Sequence, residues 1–297
     1  EIYKSKLMTA DEAVAAHIKS GDKIWLGGLS VADKVLSCVI EKVKQGALEN
    51  IDFYGNMTMD DIGLADKDIP ADKFRYHAFF YGGYEREGCK NGVVTNVPLH
   101  LSRFEDYVSY IDPDVAVVPM TPPNEQGFCN IGPAGYSPSG LNHAKKIIAQ
   151  RNKNIPRVYG SSHDYHVNDL AALVECPKDE LMPSSQPPTA PAEKIATYIL
   201  ERLPDGACIQ LGIGGTANAV GFGLKDKKHL GIHSEMYTDS MAYLQSIGVV
   251  DNSRKTFMPG LSVAGFAFNT AQTNSFIENN PKVYFTPYHY VNDIRNI

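Results

Sequence analysis

Gln210-Leu211-Gly212-Ile213-Gly214-Gly215-Thr216-Ala217-Asn218-Ala219-Val220 is the stretch on which the reading of this chain turns. A short apolar strand, Ala207 to Leu211, gives way through three glycines to a helical pattern from about Asn218 to Leu224. Backbone N–H groups in such a loop face space that no Cβ obstructs, and they can hold a phosphate, a thioester oxygen or a developing oxyanion. A tight turn packed for architecture alone has the same composition, and the loop by itself leaves the two readings even. Gly212, Gly214 and Ala217 also satisfy the Gly-x-Gly-x-x-Ala dinucleotide spacing. The next strand, around Leu230 to His233, runs into Ser234-Glu235-Met236. Ligands of open parallel sheets bind at the carboxyl ends of the strands, so Glu235 and the glycine loop are expected to face one crevice. An acid there serves either as acceptor for a nucleotide ribose or as nucleophile toward a thioester whose oxyanion the loop amides stabilise. A solvated loop glutamate is the commoner occupant of such a position, and spacing alone does not choose.

Upstream of this stretch, Pro177, Pro183, Pro187, Pro188 and Pro191 cluster with serines. Proline fixes its own φ and restricts its neighbour, so a stiff extended connection and a domain boundary are expected there, with domains at 1–182 and 183–297. The first domain opens with a helix whose N-cap is Thr9, with Asp11 and Glu12 in its first turn. Ile24 to Leu26 form a strand entering Gly27-Gly28, and a helix follows through Val35, Val39, Ile40 and Val43. Ile51 to Tyr54 predicts a strand stopped by Gly55, Val115 to Val118 a strand covered on both faces, and Leu141 to Ala149 a helix. Strands alternating with helices of this length indicate α/β domains with mostly parallel sheets.

Composition narrows the partners. The 297 residues carry 28 basic and 34 acidic side chains, a formal charge of −6, which argues against a nucleic-acid binder. No apolar run is long enough to cross a bilayer, and Glu1 to Met8 holds no signal-peptide core, so no membrane association is expected. Cys38, Cys89, Cys129, Cys176 and Cys208 are odd in number, widely spaced and without a Cys-x-x-Cys pair. They are expected to be buried free thiols in a reducing cytoplasm, with no metal site.

The run Leu211-Gly212-Ile213-Gly214-Gly215, then Asn218-Ala219-Val220, then Leu224 through His233-Ser234-Glu235-Met236 resembles the heart of the acetyl-CoA hydrolase/transferase family. Within that family the run is similar to the 4-hydroxybutyrate and butyryl-CoA:acetate CoA-transferase branches. Further similarity runs through Gln126-Gly127-Phe128-Cys129, Pro156 to Gly160, Asn279 to Val283, and Tyr290-Val291-Asn292. The resemblance implies two CoA-transferase-type (NagB/RpiA-like) α/β domains, the second incomplete because family members are longer. It implies transfer of CoA between a short-chain acyl-CoA and a carboxylate such as acetate, with Glu235 as catalytic nucleophile and Gly212, Ile213, Gly214, Gly215 and Thr216 binding CoA. CoA is then a substrate, no cofactor is tightly bound, and a homo-oligomer is expected. An acyl-CoA hydrolase is the near rival; an NAD-binding dehydrogenase and a CoA-binding module without turnover are the others.

Other positions weigh less. His166, in His166-Val167-Asn168-Asp169, reads as a packing histidine, and Arg86 with Asn91-Gly92 as a surface loop similar to a substrate-side loop of the family. Lys225, Lys227 and Lys228 read as a basic helix end. Thr216-Ala217, where the family commonly has Ile-Pro, Asn269, where it has glycine, and Gly27-Gly28-Leu29-Ser30, which lacks its proline, depart from the pattern.

Overall fold

The computed structural model describes residues 2–176, 188–268 and 270–297. Pro177, Pro183 and Pro187, the expected boundary at 182/183, and Asn269 lie outside the described residues. The chain forms two compact units.

The first unit contains, in chain order, β1 (Leu7–Met8), α1 (Ala10–His17), β2 (Lys23–Leu29), α2 (Asp33–Lys44), β3 (Ile51–Thr58), β4 (Phe74–Ala78), α3 (Gly83–Lys90), β5 (Val94–Asn96), α4 (Phe104–Ile111), β6 (Val115–Met120), β7 (Phe128–Asn130), α5 (Ser137–His143) and β8 (Lys146–Arg151). Residues Ile155–Ser161, carrying β9 (Tyr159–Gly160), belong to the second unit. The first unit then resumes with β10 (Asp164–His166) and β11 (Ala172–Glu175). Its main sheet is parallel throughout, in the order β1-β11-β8-β6-β2-β3-β4-β5, and β7 pairs antiparallel with β10.

Local chemistry starts these elements. Thr9 closes a capping box on α1: its hydroxyl accepts from the Glu12 N–H at 3.2 Å, and Glu12 Oε2 accepts from the Thr9 N–H at 2.8 Å. On α2, Val35, Leu36, Val39, Ile40 and Val43 recur at helical spacing and are all buried, so one stripe of the helix enters the core.

Three expectations fail here, the first two for identifiable reasons. The stretch Leu141 to Ala149 is not one helix: α5 ends at His143 and β8 begins at Lys146. Ile147, Ile148 and Ala149 are a buried strand between β6 and β11, an apolar run whose period does not separate helix from strand. Gly55 does not stop β3; the strand continues to Thr58. A Cβ at Gly55 would lie 2.6 Å from Leu26 Cδ1 and 2.7 Å from the Gly27 oxygen, so the glycine serves close approach of β2. The cysteines are all free, but only Cys129 and Cys176 are buried; Cys89 and Cys208 are exposed, and Cys38 lies between.

The second unit continues with α6 (Ala190–Leu200), β12 (Cys208–Ile209), α7 (Gly215–Gly223), β13 (Gly231–Tyr237), α8 (Asp239–Ser246), β14 (Ser262–Ala267), α9 (Ala271–Ile277), β15 (Val283–Phe285) and α10 (Tyr288–Val291). Its sheet is parallel, in the order β12-β13-β14-β15-β9. The two units repeat one plan: helix, strand, glycine turn, helix, then strands added on one side. In the first unit the lead strand β2 also has β6 on its other side; in the second, β12 is the edge among the described residues.

Candidate active site

The glycine loop leaves the end of β12 and becomes the first turn of α7, as its strand-to-helix composition requires. Leu211 is buried, whereas Gly212, Ile213, Gly214, Gly215 and Thr216 are all exposed. Gly214 takes φ +133°, a conformation that side chains rarely adopt, and stands at the N-cap of α7 without a side-chain cap. The first bond of the helix runs from the Asn218 N–H to the Gly214 oxygen at 3.1 Å. The N–H groups of Gly215, Thr216 and Ala217 therefore precede the intrahelical ladder and point outward. A Cβ built on Gly212, Gly214 or Gly215 meets nothing within 4 Å, so these glycines border open space. Beside the loop lies a cavity of about 480 Å³ whose walls include Ile199, Leu203, Leu211, Gly212, Thr216 and Val220.

Glu235 lies on β13, the immediate parallel neighbour of β12. Ile209 is level with Ile232, so Glu235 and Gly212 each lie three residues beyond that pair toward the carboxyl edge. The structure thus carries the glutamate and the loop on adjacent strands at one edge of the sheet. The Glu235 side chain is half-buried, and its Oε2 accepts a hydrogen bond from Asn292 Nδ2 at 2.8 Å. Asn292 directly follows α10, which packs over β13 and β14. That approach needs Gly265 of β14: a Cβ there would lie 3.0 Å from the Glu235 backbone oxygen, 3.0 Å from Tyr288 Cε1 and 3.1 Å from Val291 Cγ1.

Other polar groups brace this edge and the strand leading to it. The Asp239 carboxylate, at the start of α8, accepts from Thr273 Oγ1 at 2.6 Å and from Thr270 Oγ1, tying the first turns of α8 and α9 together. Lys255 is only 8% exposed; its ammonium donates to the Ile232 oxygen at 2.7 Å and to the Leu261 oxygen. Burial lowers the Lys255 pKa to about 8.

Asn292 was legible only as part of a shared motif and carried no role, because 57 residues separate it from Glu235. Asp239 and Lys255 gave no signal at all: buried charges are recognised by their partners, which the fold supplies. Among the weaker candidates, His166 packs as expected, its Nδ1 accepting from the Asn168 N–H at 3.2 Å and its ring edge-on to Phe128. Arg86 is exposed, and the Asn91 amide caps the Ala65 oxygen. Lys225 and Lys228 are exposed and Lys227 half-buried.

Comparison with known proteins agrees with this architecture. RipA from Yersinia pestis superposes with a TM-score of 0.91 at 27% identity, over 98% of this chain and 70% of that one. Butyryl-CoA:acetate CoA-transferase of Anaerostipes caccae is 33% identical over all of this chain and 68% of its own length. The 4-hydroxybutyrate coenzyme A transferase of Clostridium kluyveri is 34% identical over 99% of this chain and 68% of its own. Fold and relatives together define an enzyme of the CoA-transferase class, with CoA as a substrate. A family model, acetyl-CoA hydrolase/transferase N-terminal domain, matches residues 1–183, and the chain belongs to the acetyl-CoA hydrolase/transferase family. No described helix is long and apolar enough to cross a membrane.

Proposed function

We propose that this chain transfers CoA from a short-chain acyl-CoA to a small carboxylate such as acetate, through a thioester on Glu235. The observation that carries the reading is the pairing of a half-buried carboxylate, held by one amide, with the outward N–H groups of the adjacent glycine loop. Oε2 of Glu235 is engaged by Asn292, which leaves Oε1 to attack the acyl-CoA carbonyl carbon. The C–S bond breaks, the thiolate departs with the electron pair, and an acyl-glutamyl anhydride remains. The thiolate then attacks the glutamyl carbonyl, the anhydride C–O bond breaks, the first carboxylate leaves, and a glutamyl-CoA thioester is formed. An incoming carboxylate runs the two steps in reverse. An anhydride is about as activated as a thioester, so acyl-transfer potential is retained. Gly212, Ile213, Gly214, Gly215 and Thr216 hold CoA beside the glutamate, and the outward N–H groups stabilise the oxyanion. In the glutamyl-CoA state, the Asn292 amide bonds the glutamyl carbonyl oxygen and favours attack on its carbon.

The test is covalent trapping. Incubated with butyryl-CoA, the protein is expected to gain the mass of CoA less one water at Glu235, and Glu235→Gln to gain none. Borohydride should convert the adduct to an alcohol at that residue. CoA binding without an adduct overturns covalent transfer, and steady turnover without any added carboxylate assigns hydrolysis instead.

A further inference from the structure

The face of β13 that carries Glu235 also carries His233, two residues earlier and therefore on the same side of the strand. His233 Nε2 lies 2.8 Å from the backbone oxygen of Val291, the last residue of α10. A carbonyl only accepts, so Nε2 bears the proton of that bond. Nδ1 is buried with no hydrogen-bond partner among the described residues, and the ring meets that of Phe257 edge-on at a centroid distance of 5.6 Å. Phe257 in turn lies 5.8 Å from Tyr290 of α10. Burial, reinforced by the Lys255 charge and opposed by the bond to Val291, keeps the imidazole below its ordinary pKa and so in its neutral form.

The residue after Val291 is Asn292, the donor to Glu235. Two consecutive residues at the end of a one-turn helix are thus tied to two alternate residues of one strand: Val291 to His233, Asn292 to Glu235. A helix of four residues has no internal stability of its own, so its end is placed by what it touches. The single ring donor of His233 is spent on Val291, so its effect on Glu235 runs through the backbone of α10.

We propose that His233 is a positioning residue for the Glu235 carboxylate, fixing the end of α10 so that the Asn292 amide meets Oε2. The inference rests on Glu235 as the nucleophile of the proposed function. A histidine that merely fills space beside Phe257 would be replaceable by any side chain of similar bulk, whereas a positioning donor is replaceable only by another donor.

The experiment uses His233→Leu, His233→Gln, Asn292→Ala and the His233→Leu/Asn292→Ala double variant, each read by steady-state kcat and KM for butyryl-CoA with acetate and by the rate of adduct formation, and the two single His233 variants also by the side-chain amide NMR signal of Asn292. Gln can present an N–H near the position of Nε2. His233→Leu should lower kcat about tenfold with KM little changed, His233→Gln should recover most of that loss, and the double variant should be no slower than Asn292→Ala. Glu235→Ala should shift the Asn292 amide signal; His233→Leu should reproduce that shift and His233→Gln should not. Equal losses for Leu and Gln, or losses that multiply in the double variant, overturn the proposal. If wild-type protein forms no adduct, the nucleophile reading fails; an Asn292 signal indifferent to His233→Leu overturns the clamp by itself.

Discussion

Lys255 shows how one residue makes the second sheet pH-sensitive. Its charge is buried against two backbone oxygens, and burial brings its pKa from an ordinary lysine value down to about 8. The sign follows from proton counting. Between about pH 8 and the ordinary value of 10.5, the unfolded chain binds this proton and the folded chain does not, so stability from this group rises with pH across that window. Below about pH 8 both states carry the charge, and the full cost of burying it persists. Lys255→Met has no such term. The stability of wild type relative to Lys255→Met, from urea midpoints, should therefore climb by roughly 1 kcal/mol per pH unit between pH 8 and 10. A difference that stays flat or falls over that range would show that the ammonium is not buried in this way.

At the scale of the element, Gly265 decides how closely α10 meets the sheet. An added methyl would press on the Glu235 backbone oxygen, Tyr288 and Val291 at the contact that delivers Asn292. Gly265→Ala should cost about 1–3 kcal/mol in thermal unfolding, and its loss of adduct formation should match that of Asn292→Ala. Full activity in Gly265→Ala would show that α10 is not placed by this contact. Local signals announced several elements well: the Thr9 N-cap of α1, the buried stripe of α2, and the glycine loop leading into α7 are each written within a few neighbouring residues. Leu141 to Ala149 misled because Ile147 and Ile148 are apolar for a pairing with distant strands, and Gly55 because its glycine answers a clash with Leu26 rather than a turn. The position of Glu235 beside the loop was legible from strand order. The Asn292 amide, the Val291 carbonyl and Asp239 were not, since each acts across a contact made only when strands are side by side.

At the scale of the whole molecule, the two sheets differ in how their lead strands end. β2 is flanked on both sides, whereas among the described residues β12 pairs only with β13, and α6, packed on α7, leaves Ile195, Tyr198 and Ile199 47%, 53% and 40% exposed. An apolar helix face open to solvent is a template for association. The weight-average mass from light scattering should therefore rise with concentration, and Tyr198→Lys combined with Ile199→Glu should reduce that rise while leaving the melting temperature nearly unchanged. Equal scattering from the variant would clear this face of responsibility. The short excursion of residues 155–161 has a different consequence. β9 closes the far edge of the second sheet by pairing with β15, although it is made well before that strand. A nascent chain must hold Tyr159 and Gly160 in reserve until Val283–Phe285 leaves the ribosome. A gene cut anywhere between the two would leave that edge unzipped, so any attempt to harvest the second unit alone has to begin upstream of Ile155.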